Sequence, residues 1–407
     1  MSVIELTTFI VGNDRISEML KARHSMIEAF RVDRRGFIAA KLIRLDERTW
    51  LDAVEWTDDA AYDESSAKGG NLPEIAAFFA TIDSLVEARR GTRYDDAEDG
   101  ARAVRTVAYG PHPSQVGELY LPEGSGPFPG VVLCHGGFWT AMWDRRQILP
   151  VVVDLLSLGI AVYNVDYRRV GEEGGGWPGT FADVAAAVDT MVGIDPAVDA
   201  ERIVLVGHSA GGHLATWAGL RAALPAGAVG ADPVAHPVGV VSLSGVLDLV
   251  AADDEKFGTA LEDMDAEPIW GAPPPARPQV WPAVAAAVAD GIVPLLVGAH
   301  ADEDSERLAV TSPAQMRASG VPVLAVHGDA DEAVPARYSR TFAESITAQG
   351  GRVEFVEYAG ARHFDTVDPA NPEIWPAVRA WIAERLGITL PKAGWARGTH
   401  PAPGEKP

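Results

Sequence analysis

The pentapeptide Gly207-His208-Ser209-Ala210-Gly211 restricts what this chain can fold into more than any other feature. Before it runs the apolar segment Arg202-Ile203-Val204-Leu205-Val206, read as a buried strand. After it comes an Ala-rich segment, read as a helix over 211–223. A strand that feeds a helix this abruptly needs a sharp turn, and the flanking glycines permit one without a Cβ clash. Such a turn exposes the Ser209 hydroxyl. It also brings the Ala210 amide to a helix N-terminus, where partial positive charge favours an anion. G-x-S-x-G between a strand and a helix marks Ser209 as a candidate nucleophile. The competing explanation is a tight glycine turn with a capping serine.

The surrounding pattern supports an alternating architecture. Strands are expected at 102–109, 116–121, 131–134, 160–165, 202–206, 239–243, 321–326 and 352–357. Helices are expected at 147–158, 181–192, 211–223, 336–347 and 373–386. Apolar strands without alternation, separated by helices, imply a mostly parallel sheet covered on both faces. Catalytic groups then belong at the carboxyl ends of the strands.

Two further segments fit that rule. His363, in Gly360-Ala361-Arg362-His363-Phe364, follows strand 352–357 and is the expected general base and acid. A free imidazole titrates near 6.5 and serves both roles near neutrality. The run His327-Gly328-Asp329-Ala330-Asp331-Glu332-Ala333-Val334-Pro335 follows strand 321–326 and offers two carboxylates. Asp331 is preferred as the partner of His363, with Asp329 as the alternative and the other one bracing the loop. His135-Gly136-Gly137-Phe138-Trp139 follows strand 131–134. Gly136 and Gly137, with Ala210, are the expected oxyanion hole, and His135 is expected to brace the loop. Phe138, Trp139, Trp143 and His208 are the candidate pocket residues. Ordinary core packing is the other account of the three aromatics.

At 407 residues the chain is long enough for two domains. The acidic run Tyr94-Asp95-Asp96-Ala97-Glu98-Asp99-Gly100 is the best boundary. It gives a first domain over 1–94, a linker over 95–101, a second domain over 102–387 and a tail over 388–407. In the first domain, strands 3–11, 36–45 and 49–56 alternate with helices at 14–30, 58–67 and 72–87; a last edge strand is not evident. This β-α-β-β-α-(β) order is ferredoxin-like. Trp50 and Trp56 share the strand period and are expected on one sheet face, at a subunit interface or in packing. His24 is expected on a helix surface or in a groove, with a catalytic or haem role as the alternative. In the tail, Trp395 is a candidate anchor.

A formal charge of -23 disfavours nucleic acid as a partner. No run of eighteen apolar residues suggests a membrane span, and the opening residues do not read as a signal peptide. The single cysteine, Cys134, leaves no internal disulfide and no cysteine-based zinc cluster. A cytoplasmic protein is the simplest expectation.

On these motifs the second domain resembles the α/β-hydrolase superfamily over about 102–387. His-Gly-Gly-Phe-Trp (135–139), Asp166-Tyr167-Arg168, Gly-His-Ser-Ala-Gly-Gly (207–212), the run Ser244–Leu249 and Thr311-Ser312-Pro313 resemble the HGG-type esterases related to hormone-sensitive lipase. The likeness is greatest to the kynurenine formamidase and feruloyl-esterase-like branch. Many lipase-like relatives have HGGG where this chain has HGGF, which implies an aryl or small acyl substrate. The first domain resembles dimeric α-β barrel domains of the antibiotic-biosynthesis-monooxygenase type, which implies a homodimer. The segment 250–310 departs from the pattern and is expected to form a cap, with Trp270 and Trp281 over the pocket or simply holding the cap down.

The expected chemistry is hydrolysis of an ester or activated amide through an acyl-enzyme, as in a carboxylesterase or arylformamidase, with no metal or organic cofactor. A serine peptidase, a lactone or carbon–carbon hydrolase of the same fold, and a non-catalytic binding or scaffold protein are the alternatives.

Overall fold

A computed structural model describes residues 3–92, 104–259, 284 and 287–390. The chain divides into two compact units, Met1–Ala101 and Arg102–Pro407. The expected linker, most of the expected tail with Trp395, and the cap residues Trp270 and Trp281 lie outside the described residues.

In the first unit, β1 (Val3–Ile10), β2 (Phe37–Arg44), β3 (Thr49–Trp56) and β4 (Ser84–Thr92) form an antiparallel sheet in the order β2-β3-β1-β4. Helices α1 (Ile16–Asp33), α2 (Asp59–Lys68) and α3 (Pro73–Ala80) complete it. Trp50, Asp52, Val54 and Trp56 alternate on β3 and are all buried. Their face packs on Met19, Met26 and Phe30 of α1 and on Ile75 and Phe78 of α3. The two tryptophans thus belong to this unit's own core and not to a subunit interface. Asp52 is tolerated there because Arg23 binds it with two hydrogen bonds, at 2.7 and 3.1 Å. His24 is exposed.

The helix expected over 72–87 ends at Ala80, and residues 84–92 form the missing edge strand. Thr81 stops the helix by donating its Oγ1 to the Phe78 carbonyl at 2.7 Å. β4 carries Glu87, Arg89 and Arg90 rather than an apolar alternation, so its strand character comes from pairing with β1. That pairing is a long-range contact that no local pattern encodes.

In the second unit, β5 (Val104–Ala108), β6 (Val116–Tyr120), β7 (Phe128–Cys134), β8 (Ala161–Val165), β9 (Val198–His208), β10 (Gly239–Leu243), β11 (Val323–Gly328) and β12 (Val353–Tyr358) form one sheet. Its order is β12-β11-β10-β9-β7-β8-β6-β5, and helices α4 (Leu149–Ser157), α5 (Gly179–Thr190) and α6 (Ala210–Leu220) lie in the connections after β7, β8 and β9. The strands from β8 to β12 and β7 run parallel, and β5 and β6 add an antiparallel edge. The two faces have separate cores. Ile203, Leu205 and Val240 point into one, and Val204, Val206, Val241 and Leu243 into the other. Burial on both faces is why these strands read as continuous apolar runs; each such side chain contributes roughly 1.5–3 kcal/mol.

This topology positions the site. The loops after β7, β9, β11 and β12 leave the same carboxyl edge of the sheet and carry His135, Ser209, Asp331 and His363. In the expected cap region, short helices span Leu249–Asp254, Val293–Val297 and Ser305–Thr311.

Trp56 is fully buried against Phe30, with ring centroids 5.7 Å apart. Trp56→Ala is expected to destabilise the first unit by about 3–5 kcal/mol. Urea unfolding measures this, and a loss under about 1 kcal/mol would contradict its place in the core.

Candidate active site

Ser209 sits at the turn between β9 and helix α6 (Ala210–Leu220), with φ 55° and ψ -120°. A non-glycine residue held in this sparsely populated region costs of order 1–3 kcal/mol. The glycines on either side explain why the chain accepts it. A Cβ on Gly207 would run into the Gly211 carbonyl, and a Cβ on Gly211 would run into the carbonyls of Cys134 and His135. The turn therefore wedges against the end of β7, and Ser209 N–H donates to the Leu243 carbonyl at 2.8 Å.

His363 and Asp331 meet across two loops, with His363 Nδ1 2.8 Å from Asp331 Oδ2. The Asp331 carboxylate is fully buried. Its Oδ1 accepts N–H bonds from Ala333 at 2.9 Å and Val334 at 2.8 Å. Burial alone would raise its pKa. Hydrogen bonds from His327 and His363, the charge of His363 and the Val334 amide outweigh that and hold it far below the ordinary carboxylate range. Asp329 is exposed and accepts the Gly360 N–H at 2.6 Å. It braces the loop instead of touching His363. No hydrogen bond joins Ser209 to His363 among the described residues; such contacts often tighten only when substrate binds.

His208 was a candidate pocket residue but is buried beneath His363. Their rings lie 4.6 Å apart, and His208 Nε2 donates to the His363 carbonyl at 3.1 Å. Burial first, and the charge of His363 next, push its pKa down to about 3, so its ring stays neutral. Trp139 is likewise not a wall of an open pocket. It is fully buried and donates its Nε1 to His213 Nδ1 at 3.1 Å. Trp143 is 7% exposed and backs Gly137 from inside. Of the three aromatics, only Phe138 is partly exposed.

The glycine loop corrects one more expectation. Gly136 donates its N–H to Gln147 Oε1 at 2.7 Å, which removes it from an oxyanion hole. Gly137 has φ 104°, and Phe138 follows at φ 54°. Thr140 holds the Gly137 carbonyl through its N–H at 2.9 Å and its hydroxyl at 3.0 Å. A trans peptide turns the next N–H the opposite way. The Phe138 amide, like that of Gly137, donates to no protein acceptor among the described residues. A Cβ on Gly136 would lie 3.1 Å from Ser209 Cβ, so the loop closes directly on the serine. Ala210 opens α6 and offers its N–H from the helix N-terminus.

The Asp166-Tyr167-Arg168 run braces this loop. Asp166 accepts the Arg145 N–H at 2.7 Å and lies 3.4 Å from His135 Nε2. Tyr167 stacks on His135 with centroids 4.6 Å apart and donates its hydroxyl to the His135 carbonyl. Arg168 binds Asp183. Burial pushes the Cys134 thiol up to about 12, so it holds no thiolate near neutrality and is no rival nucleophile.

The family model BD-FAE matches residues 118–346 of this sequence. The chain belongs to the BD-FAE family. That BD-FAE match contains the glycine loop, Ser209 and Asp331, whereas His363 lies beyond its end. Among curated proteins, an isoprenylcysteine alpha-carbonyl methylesterase, ICME, from Arabidopsis thaliana is 25% identical over 276 residues. The alignment covers 64% of this chain and 56% of the relative. Esterase LipC of Mycobacterium tuberculosis is 26% identical over 282 residues, covering 66% and 61%. The chain thus spans about three-fifths of the length of these relatives. A truncated carbohydrate esterase from gut microbiota shares the fold, with TM-score 0.54 and 21% identity over 72% of this chain and 99% of that one. Butyrate-bound esterase 2 of Thermogutta terrifontis does so with TM-score 0.51 and 22% identity, covering 71% and 96%.

Three contributors in this BD-FAE site were not recognised as such from sequence. Gln147 and Thr140 shape the loop through hydrogen bonds that no motif encodes. His327, within the HGxxD run, places its Nε2 3.3 Å from Asp331 Oδ2 and donates to the Val334 carbonyl at 2.9 Å. Its place four residues before Asp331 was the available signal.

His208 and His213 are both buried and neutral, with pKa pushed down by burial to about 3 and about 4. Unfolded histidine titrates near 6.5. Their contribution to stability is therefore complete above about 6.5 and is lost as pH falls toward the folded values. Each adds about 1.4 kcal/mol per pH unit to the slope below pH 6. His213→Gln is expected to reduce the slope of unfolding free energy between pH 6 and 4.5 by about that amount in urea titrations. An unchanged slope would show that His213 is not buried neutral.

Proposed function

We propose that this chain is a serine hydrolase of carboxylic esters that works through an acyl-enzyme. The observation that carries this reading is the strained Ser209 turn at one sheet edge with the His363–Asp331 pair, 2.8 Å apart. In this reading Ser209 attacks the carbonyl while His363 takes its proton. Asp331, ionised throughout, fixes the His363 tautomer and stabilises the imidazolium. Ala210, Gly137 and Phe138 supply the N–H groups for the oxyanion. His363 then protonates the leaving group and activates the water that releases the acid. No cofactor enters these steps. The relatives, a methylesterase, esterases and a carbohydrate esterase by name, agree with ester substrates.

The finer reading is an HGG-type, arylformamidase-like esterase taking aryl or small acyl groups. Two partly exposed aromatics support it. Phe138 flanks the glycine loop, and Phe364, 39% exposed, lies with its ring 5.1 Å from that of His363. Short p-nitrophenyl esters are suitable substrates. Ser209→Ala is expected to abolish both their hydrolysis and labelling by a fluorophosphonate. Asp331→Asn should lower kcat by about 10³–10⁴-fold, while Asp329→Asn should stay within about threefold. Equal losses in the two aspartate variants would overturn the assignment.

The first unit supports a ferredoxin-like domain that pairs with a second copy through its sheet. Ile4, Leu6, Ile43, Leu51 and Ala53 share the face opposite Trp50 and Trp56, and Ile43 is 44% exposed. Analytical ultracentrifugation should show a homodimer, and Leu6→Glu should yield monomers. A native monomer at micromolar concentration would refute this pairing.

A further inference from the structure

Phe138 holds a backbone conformation that a bulky residue resists, with φ 54°, and Trp139 beside it has φ 57°. Thr140 fixes one side of this turn through the Gly137 carbonyl. The other side rests on a ring from a different part of the chain. Phe257 packs on Phe138 with centroids 5.3 Å apart and planes tilted by 30°. It meets the edge of Trp139 at 6.5 Å.

Phe257 is itself anchored from several directions. It is 8% exposed. Its N–H donates to the Ala252 carbonyl at 2.8 Å, and its carbonyl accepts the Ile292 N–H at 2.7 Å. Lys256 at φ 52° and Gly258 at φ 89° turn the chain on either side of it. Tyr338 meets its ring edge-on at 6.2 Å. The Tyr338 hydroxyl donates to Glu255 Oε2 at 2.7 Å, and Arg337 Nε holds Glu255 Oε1 at 3.1 Å. Asp253, on the same segment, binds His300 Nδ1 at 3.1 Å and the Ala301 N–H at 2.7 Å.

We propose that Phe257 is a positioning residue for ester hydrolysis: its ring clamps Phe138 in the left-handed turn that aims the Phe138 N–H at the oxyanion. The inference rests on the serine-hydrolase reading above. Removing the ring lets Phe138 relax toward ordinary φ, which rotates the amide away from the site where charge develops. The ground-state ester, with little charge on its carbonyl, senses this less than the transition state does.

The test compares Phe257→Ala and Phe257→Leu with the native full chain on p-nitrophenyl butyrate. A trifluoromethyl ketone with the same acyl chain serves as the tetrahedral mimic. Phe257→Ala is expected to lower kcat by about 10–100-fold with KM within about twofold. The ketone inhibition constant should rise by the same factor as the loss in kcat/KM. Phe257→Leu, which refills only part of the volume and restores no ring, should lower kcat and ketone affinity in parallel by a smaller factor. A rise in KM with kcat intact would make the ring a plain pocket wall and overturn the proposal. So would a fall in kcat with unchanged ketone affinity. If circular dichroism shows Phe257→Ala unfolded, Phe257→Leu decides alone: a parallel fall in kcat and ketone affinity supports the proposal, and native values of both overturn it. A native chain that neither hydrolyses the ester nor reacts with a fluorophosphonate overturns the serine-hydrolase reading itself, a result distinct from native activity that ignores Phe257.

Discussion

The second unit depends on one close approach, the wedging of the Ser209 turn between the end of β7 and the start of α6. Gly207 and Gly211 come so near to neighbouring carbonyls that no side chain fits at either position. This contact ties three parts of the site together. It forces Ser209 into its left-handed conformation, opens α6 with N–H groups that meet no acceptor among the described residues, and seats the His135–Gly137 loop on the serine. The strain stored there persists because two buried cores, one on each face of the sheet, hold β7 and β9 in register. Relaxing the turn would mean shifting strands that are packed on both faces.

Charge around His363 is arranged about the buried carboxylate of Asp331. Asp331 receives two backbone N–H bonds and faces two histidines, which together outweigh the cost of desolvating it. For His208 and His213 burial outweighs the backbone hydrogen bonds they make and holds them neutral. His363 and His327 thus both face the anion, while His208 and His213 hydrogen-bond to backbone carbonyls. Held neutral, His208 adds no positive charge beside His363 near neutrality.

The glycine loop after β7 is shaped by its neighbours more than by its own residues. Gln147 takes the Gly136 amide, Thr140 fixes the Gly137 carbonyl, Tyr167 and Asp166 flank His135, and Phe257 lies against Phe138. Two successive non-glycine residues with positive φ remain in place because contacts on both sides outnumber the ways they could relax.

Local chemistry determined much of this in advance. The glycine spacing around Ser209 demanded a sharp strand-to-helix turn, and runs of apolar residues demanded a sheet buried on both faces. Together they located Ser209, Asp331 and His363 on loops at one edge, since parallel strands share their carboxyl ends. The tertiary structure decided what depends on partners distant in sequence. Strand β4 exists because β1 pairs with it, although its own residues carry no strand pattern. Asp331 rather than Asp329 reaches His363 because one carboxylate turns inward and the other caps Gly360. Trp139 went to the core and His208 beneath His363, since aromatic composition cannot tell which side of a loop faces solvent. Gly136 lost its amide to Gln147, eleven residues along, because hydrogen-bond partners in space leave no trace in spacing.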